Sequence, residues 1–192
     1  MKVSNRSTVG QTVTRGGIVR SVDRGNSFWR FSTSMPEGLP WSVHREAING
    51  VETLNRYTTD TVDFTNSGFS WMFPYRGDEP NINNLTVSYI ASGNQLVVQS
   101  GVTITSGYIF KKGDIIQLVG GRVYEITNNV AWDDTAITVH RPIVDESIDT
   151  YSIRVGPAAQ HTIRCINMPE WSFVSRDQVS WDGSFVFQEE MI

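Results

Sequence analysis

The alternation of apolar and polar positions predicts a protein built mostly of strands. Over Ser27–Met35 the residues Trp29, Phe31, Thr33 and Met35 share one face and Phe28, Arg30, Ser32 and Ser34 the other, the period of a half-buried strand. Runs rich in Val, Ile, Thr and aromatics, bounded by Gly, Asn and Asp, predict further strands at Phe69–Phe73, Leu85–Ile90, Gln95–Gln99, Asp114–Val119, Arg122–Asn128, Thr135–His140, Tyr151–Val155, Thr162–Met168, Trp171–Val174 and Ser184–Gln188. One stretch keeps a different period. From Leu39 to Asn55, Val43, Ala47, Ile48, Val51 and Leu54 recur every three or four residues, which predicts a short helix behind Pro40. Ser42 is its expected cap, followed by Arg45 and Glu46, and Gly50 weakens it by about 1 kcal/mol relative to alanine. Such a helix owes its stability to packing on the sheet.

Between Ser100 and Ile143 the turns crowd together: SGY, KKGD at Lys111–Asp114, VGGR at Val119–Arg122 and NNVAWDDT at Asn128–Thr135. Gly120 and Gly121 can both adopt the positive φ of a two-residue primed hairpin turn. Five or six short strands over roughly 75 residues predict a small β-barrel, of the OB type. Two breaker clusters flank this region. Pro74–Asn84, PYRGDEPNINN, reads as a linker, and Val155–Gln160, VGPAAQ, marks the other border. Net charge is +3 over residues 1–76, −4 over 77–155 and −3 over 156–192, so the first and last parts carry opposite signs suited to packing together. The expected fold is therefore mainly β: a discontinuous barrel- or sandwich-like domain of residues 1–80 and 156–192 with one short helix, and an inserted small OB-like barrel of residues 81–155.

Composition narrows the functional classes. With 39% hydrophobic and 19% charged residues among 192, the chain has the makings of a core rather than of a disordered polymer. Cys165 is the single cysteine, which excludes an intramolecular disulfide. A net charge of −4 argues against a dedicated nucleic-acid binder. No apolar run approaches the roughly 18 residues of a membrane span, and MKVSNRSTVGQ lacks a signal-peptide core, so a soluble protein made in the cytoplasm is expected.

The residues that could do chemistry are scattered. His44, His140 and His161 form no close ligand pair, so no metal is expected, and Cys165 sits in the apolar TIRCINM as a small hydrophobe rather than a nucleophile. Neither a GxSxG elbow nor a phosphate-cradling loop occurs, and no cofactor is expected. Paired acids for glycoside cleavage could come from Asp133 and Asp134, or from Asp145, Glu146 and Asp149, but each group lies in a turn where solvated acids are the rule. Arg76-Gly77-Asp78 spells an integrin-recognition tripeptide in the expected linker, and Asn5-Arg6-Ser7 and Asn84-Leu85-Thr86 match glycosylation sequons; none carries weight alone. Six tryptophans are the one excess. Trp29, Trp71 and Trp181 sit inside strand patterns, as core or interface residues, with Trp41 and Trp171 completing the set, whereas Trp132 in NNVAWDD is expected to be exposed and could stack on a sugar ring.

The order of a β-rich start with a helix, a small barrel carrying FKKGDIIQLVGGRVYEITNN (Phe110–Asn129) and TAITVHRPI (Thr135–Ile143), and a return ending SWDGSFVFQEEMI (Ser180–Ile192) resembles the distal tail proteins of long-tailed bacteriophages and the related hub-ring proteins of contractile-tail baseplates. The resemblance implies a structural virion protein without enzymatic activity, located at the tail tip or baseplate after assembly in the host cytoplasm. It implies a homo-oligomeric ring, typically hexameric, whose first domain continues the tail tube while the inserted barrel projects outward. The implied partners are the tail tube, the hub and other tail-tip proteins, with DNA passing only as non-specific cargo, and no membrane; the net charge of −4 adds the expectation that lumenal acids repel that DNA. A carbohydrate-binding module recognising host surface glycans is the alternative reading.

Overall fold

The computed structural model describes residues 1–6, 9–13, 19–23, 27–36, 38, 40–53, 59–65, 68–89, 93–143 and 150–190. In chain order its strands are β1 (Lys2–Arg6), β2 (Val9–Val13), β3 (Val19–Asp23), β4 (Phe28–Thr33), β5 (Asp60–Val62), β6 (Thr86–Tyr89), β7 (Gln95–Ser100), β8 (Tyr108–Phe110), β9 (Ile115–Leu118), β10 (Val123–Glu125), β11 (Val130–Ala131), β12 (Ala136–Thr138), β13 (Tyr151–Val155), β14 (His161–Asn167), β15 (Glu170–Ser175), β16 (Gln178–Asp182) and β17 (Phe185–Glu189). A single α-helix among the described residues, α1 (Trp41–Thr53), follows β4. The protein is mainly β with one short helix. Its contacts divide it into two units, Met1–Thr61 with Thr162–Ile192, and Val62–His161. Residues 62–80 and 156–161, which the composition shifts group with the chain ends, thus belong to the second unit.

In the first unit a five-stranded sheet runs in the order β1-β4-β17-β14-β5. Antiparallel register sets Val3, Phe31, Phe187 and Cys165 in one row across four strands, with Ser4, Arg30, Gln188 and Arg164 in the next. Neighbouring rows face opposite sides of a pleated sheet. The first side therefore gathers the buried Trp29, Phe31, Phe185, Ile163 and Cys165. The other carries polar groups, among them the ion pair of Arg164 with Glu190.

Helix α1 differs from its expected form in two respects. Its first N–H, that of Trp41, is taken up by the carbonyl of Asp177 at 3.1 Å and its Oδ1 at 3.3 Å, from the turn between β15 and β16. An acceptor from a distant strand turn thus does the capping, and Ser42 lies exposed inside the first turn. The buried face is also displaced by one residue. His44 and Ile48 are buried and Val51 is half-buried, while Val43 is 47% exposed. Leu39, Leu54 and Asn55 lie outside the described residues.

The second unit holds a six-stranded sheet in the order β10-β9-β13-β6-β7-β12. Its two outer strands meet: Ile126, just past β10, bridges Val139, just past β12, flanked by bonds from Thr127 N–H to the Thr138 carbonyl and from His140 N–H to the Glu125 carbonyl, each 2.9 Å. The sheet closes into a small barrel around Leu85, Val87, Leu96, Ile116, Leu118, Tyr124, Ile126, Ile137 and Val139, all with essentially no exposure. Every residue of β9 is buried, because its other face is covered too. There the Gln117 amide donates to the Gly121 and Gln160 carbonyls and accepts the Gln160 N–H, so no polar atom of that side chain is stranded.

Two local expectations change here. The VGGR turn is not a two-residue primed hairpin: Gly121 N–H bonds the Leu118 carbonyl at 2.8 Å with Gly120 at φ 85°, the single positive φ of a type II turn. Phe69–Phe73 is no strand. Met72 N–H and Phe73 N–H bond back to the Phe69 and Ser70 carbonyls, which winds Ser70–Met72 into a 3-10 turn ahead of Pro74.

Candidate functional site

The ribbon β15–β16 of the first unit pairs Trp171 with Trp181 and Phe173 with Val179. All six residues of β15 are exposed, with Phe173 at 56% and Val174 at 68%. The rings of Trp41, Trp171 and Phe173 nonetheless contact one another, with centroids 5.0, 5.1 and 5.6 Å apart. On the same face, Trp181 Nε1–H donates to His44 Nδ1 and its ring lies 5.1 Å from Phe185, which anchors the cluster to α1 and β17. Exposed aromatics of this kind on one contiguous ribbon suit association with an apolar partner surface.

A second surface lies on the second unit, where β8 pairs with β11. Tyr108 and Trp132 are 41% and 42% exposed. Asp78 accepts Tyr108 N–H at 2.9 Å and lies 3.4 Å from Lys111 Nζ. The Tyr108 N–H chiefly holds the Asp78 carboxyl below the usual carboxylate range; desolvation opposes it, and the charge and hydrogen bond of Lys111 add to the lowering.

The Pro74–Asn84 stretch is no linker but a network bound to the barrel. Glu79, almost fully buried, accepts four hydrogen bonds: Asn81 N–H and Thr103 Oγ1–H on Oε1 at 3.0 and 2.6 Å, and Thr103 N–H and Ile104 N–H on Oε2 at 2.7 and 3.2 Å. Burial alone would raise its pKa, yet these donors more than offset it and leave the carboxyl below its ordinary value. Asp114, also buried, takes the Arg76 N–H and Nε–H on one oxygen and Lys111 N–H on the other. Tyr75 donates its hydroxyl to the Ile109 carbonyl at 2.5 Å, and burial, with the charges of Asp114, Glu79 and Asp78, pushes it up to about 12. The Arg-Gly-Asp tripeptide is consequently pinned at every residue, since Gly77 is wedged against the Ile109 carbonyl and the Tyr75 hydroxyl.

The histidines are not brought together as a ligand set. His44 belongs to the first unit, and His140 and His161 flank the buried Arg141 in the second. Burial first, then the charge of Arg141, depress His140 to about 4 and His161 to about 3. Arg141 itself donates to the Val123 carbonyl at 2.8 Å and lies over the Tyr124 ring. Among the described residues no group of three His, Cys, Asp or Glu could hold a metal, and no helix is long and apolar enough to cross a membrane. Asp134 is spent on the turn, accepting Ala131 N–H, and Asp145, Glu146 and Asp149 lie outside the described residues. Trp29 is in the core, but Trp71 is 71% exposed and no part of one. Glu79 and Asp177 escaped sequence reasoning, since their partners lie 24 and 136 residues away.

No family model matches the chain, and comparison with curated proteins returned no match.

Proposed function

We propose that this protein is a structural component of a virus particle: a homo-oligomeric, sixfold ring at the distal end of a long bacteriophage tail, joining the tail tube to the baseplate or host-recognition apparatus. The role is non-enzymatic and needs no cofactor. The observation that carries the reading is the ribbon β15–β16, whose outer strand leaves Trp171, Phe173 and Val174 in water with Trp41 beside them. Two-stranded ribbons are marginal by themselves, and an exposed apolar ribbon with an unpaired edge favours association. In a ring the contact is heterologous, one surface of a protomer meeting a different surface of the next until rotation closes. The likeness of Phe110–Asn129, Thr135–Ile143 and Ser180–Ile192 to distal tail proteins supports the kind of assembly.

Size-exclusion chromatography with light scattering, followed by negative-stain electron microscopy of the full chain, tests this directly. The expected result is a particle several protomers in mass with a central channel. A strict monomer at high concentration, together with absence from purified virions, overturns the reading.

A further inference from the structure

Among the exposed aromatics, Trp132 is held in a distinctive way. Its N–H bonds the Gly107 carbonyl at 3.1 Å. The residue before it, Ala131, is fixed twice by Asp134: Asp134 N–H bonds the Ala131 carbonyl at 3.1 Å, and Asp134 Oδ2 accepts Ala131 N–H at 2.9 Å. The backbone on both sides of the indole is therefore locked to a tight turn and to a neighbouring strand, while the ring stays 42% exposed. Gly107 contributes to the lock. At φ 89°, with a Cβ position only 2.8 Å from Asp78 Oδ2, it admits no side chain opposite the tryptophan.

The other exposed indoles are differently employed. Trp171 is in tilted contact with the half-buried Trp41 and edge-on to Phe173, an arrangement suited to a protein surface. Trp71 turns its Nε1–H back to the Gly68 carbonyl of its own loop. Asp133, next to Trp132, is exposed and makes no hydrogen bond or ion pair among the described residues. A flat aromatic face on a hydrogen-bonded turn, with an exposed carboxylate on the next residue, suits a pyranose ring: its C–H face covers the indole and its hydroxyls donate to the acid. Because the platform is already rigid, little ordering entropy opposes binding. The local charge selects the ligand further: Asp133 and Asp134 follow Trp132 directly in the chain, and Asp78, beside Gly107, is already paired with Lys111, so a polyanionic chain would meet acidic groups at the turn.

We infer that the Ala131–Asp134 turn is a stacking site for an uncharged polysaccharide, independent of the ribbon on which assembly rests. Isothermal titration of the full chain with soluble neutral oligosaccharides built from glucose, galactose, mannose or N-acetylglucosamine tests it, with a uronic-acid polymer as the charged comparison. Saturable binding of at least one neutral sugar is expected, with no heat from the polyanion. Trp132→Ala should weaken binding about tenfold or more, Trp132→Phe should restore most of it, and Trp71→Ala should leave it unchanged. If the alanine variant loses its circular-dichroism spectrum, Asp133→Ala decides instead, with a several-fold loss expected. Absence of binding across the neutral panel, undiminished binding by the folded Trp132 or Asp133 variants, or binding that fails on removal of Trp71 overturns the assignment.

Discussion

Trp181 Nε1–H donates to His44 Nδ1 across 3.0 Å, joining the middle of β16 to the buried face of α1. An imidazole nitrogen can accept only when it carries no proton, so the bond fixes the tautomer of a histidine with no exposed surface. Replacing Trp181 by phenylalanine keeps an aromatic ring but strands that acceptor. The expected loss is about 1–2 kcal/mol, read as a lower urea midpoint with an unchanged slope.

Removing the Glu79 carboxylate should cost more. Glu79→Ala deprives four donors of their acceptor and is expected to lose on the order of 3 kcal/mol, while Glu79→Gln, which keeps one oxygen, loses less. Urea titration of the two variants beside the parent protein gives the comparison, and equal stability of all three would remove the carboxylate from the account.

The same group sets an acid limb. Its folded pKa lies below the reference of 4.5, so its stabilisation is complete above that pH and is lost as pH falls through the folded value. The buried His161 adds to this at higher pH. With its pKa lowered from 6.5 to about 3, it binds a proton more readily when unfolded, so stability declines from pH 6.5 downward by roughly 1 kcal/mol per pH unit and levels off below about 3. Urea midpoints measured between pH 7 and pH 3 should fall throughout, and a conservative His161→Gln variant should flatten the upper part of the curve.

Two glycines should respond differently to a methyl group. Gly77→Ala forces a collision with the Ile109 carbonyl and the Tyr75 hydroxyl, both fixed, and is expected to cost about 2–3 kcal/mol. Gly120→Ala meets no atom within 4 Å and carries only the strain of φ 85°, about 1 kcal/mol. Thermal denaturation of the two variants should rank them in that order.

The exposed ribbon gives the assembly prediction. Phe173→Ser removes a ring that is mostly in solvent, so the variant should fold and melt like the parent protein while self-associating at least several-fold more weakly by sedimentation velocity. A variant with unchanged association would transfer the joining role to another surface.

What the sequence discloses here is the local pattern, and what it hides is set by distant partners. The alternation across Trp29 and Phe31 reads directly as a buried strand face, because a period of two is a property of neighbours in the chain. Spacing along α1 places Val43 inside, yet His44 takes that place because Trp181 supplies its hydrogen bond from 137 residues away. Pro74–Asn84 has the composition of a linker, and only the barrel loops that donate to Glu79 and Asp78 turn it into structure. β15 alternates like any half-buried strand, yet all of it is exposed. Of the candidate sugar site, Trp132 was legible as an indole in a polar turn, whereas its bond to Gly107 was not.

The seam between Ile126 and Val139 leaves the six-stranded barrel without a selvedge. A neighbour adding a strand at that seam would have to displace the Ile126–Val139 pairing and its flanking hydrogen bonds, so recognition there falls to side chains and loops. Such a body can exchange one recognition specificity for another by point substitution in those loops, its architecture indifferent to the change.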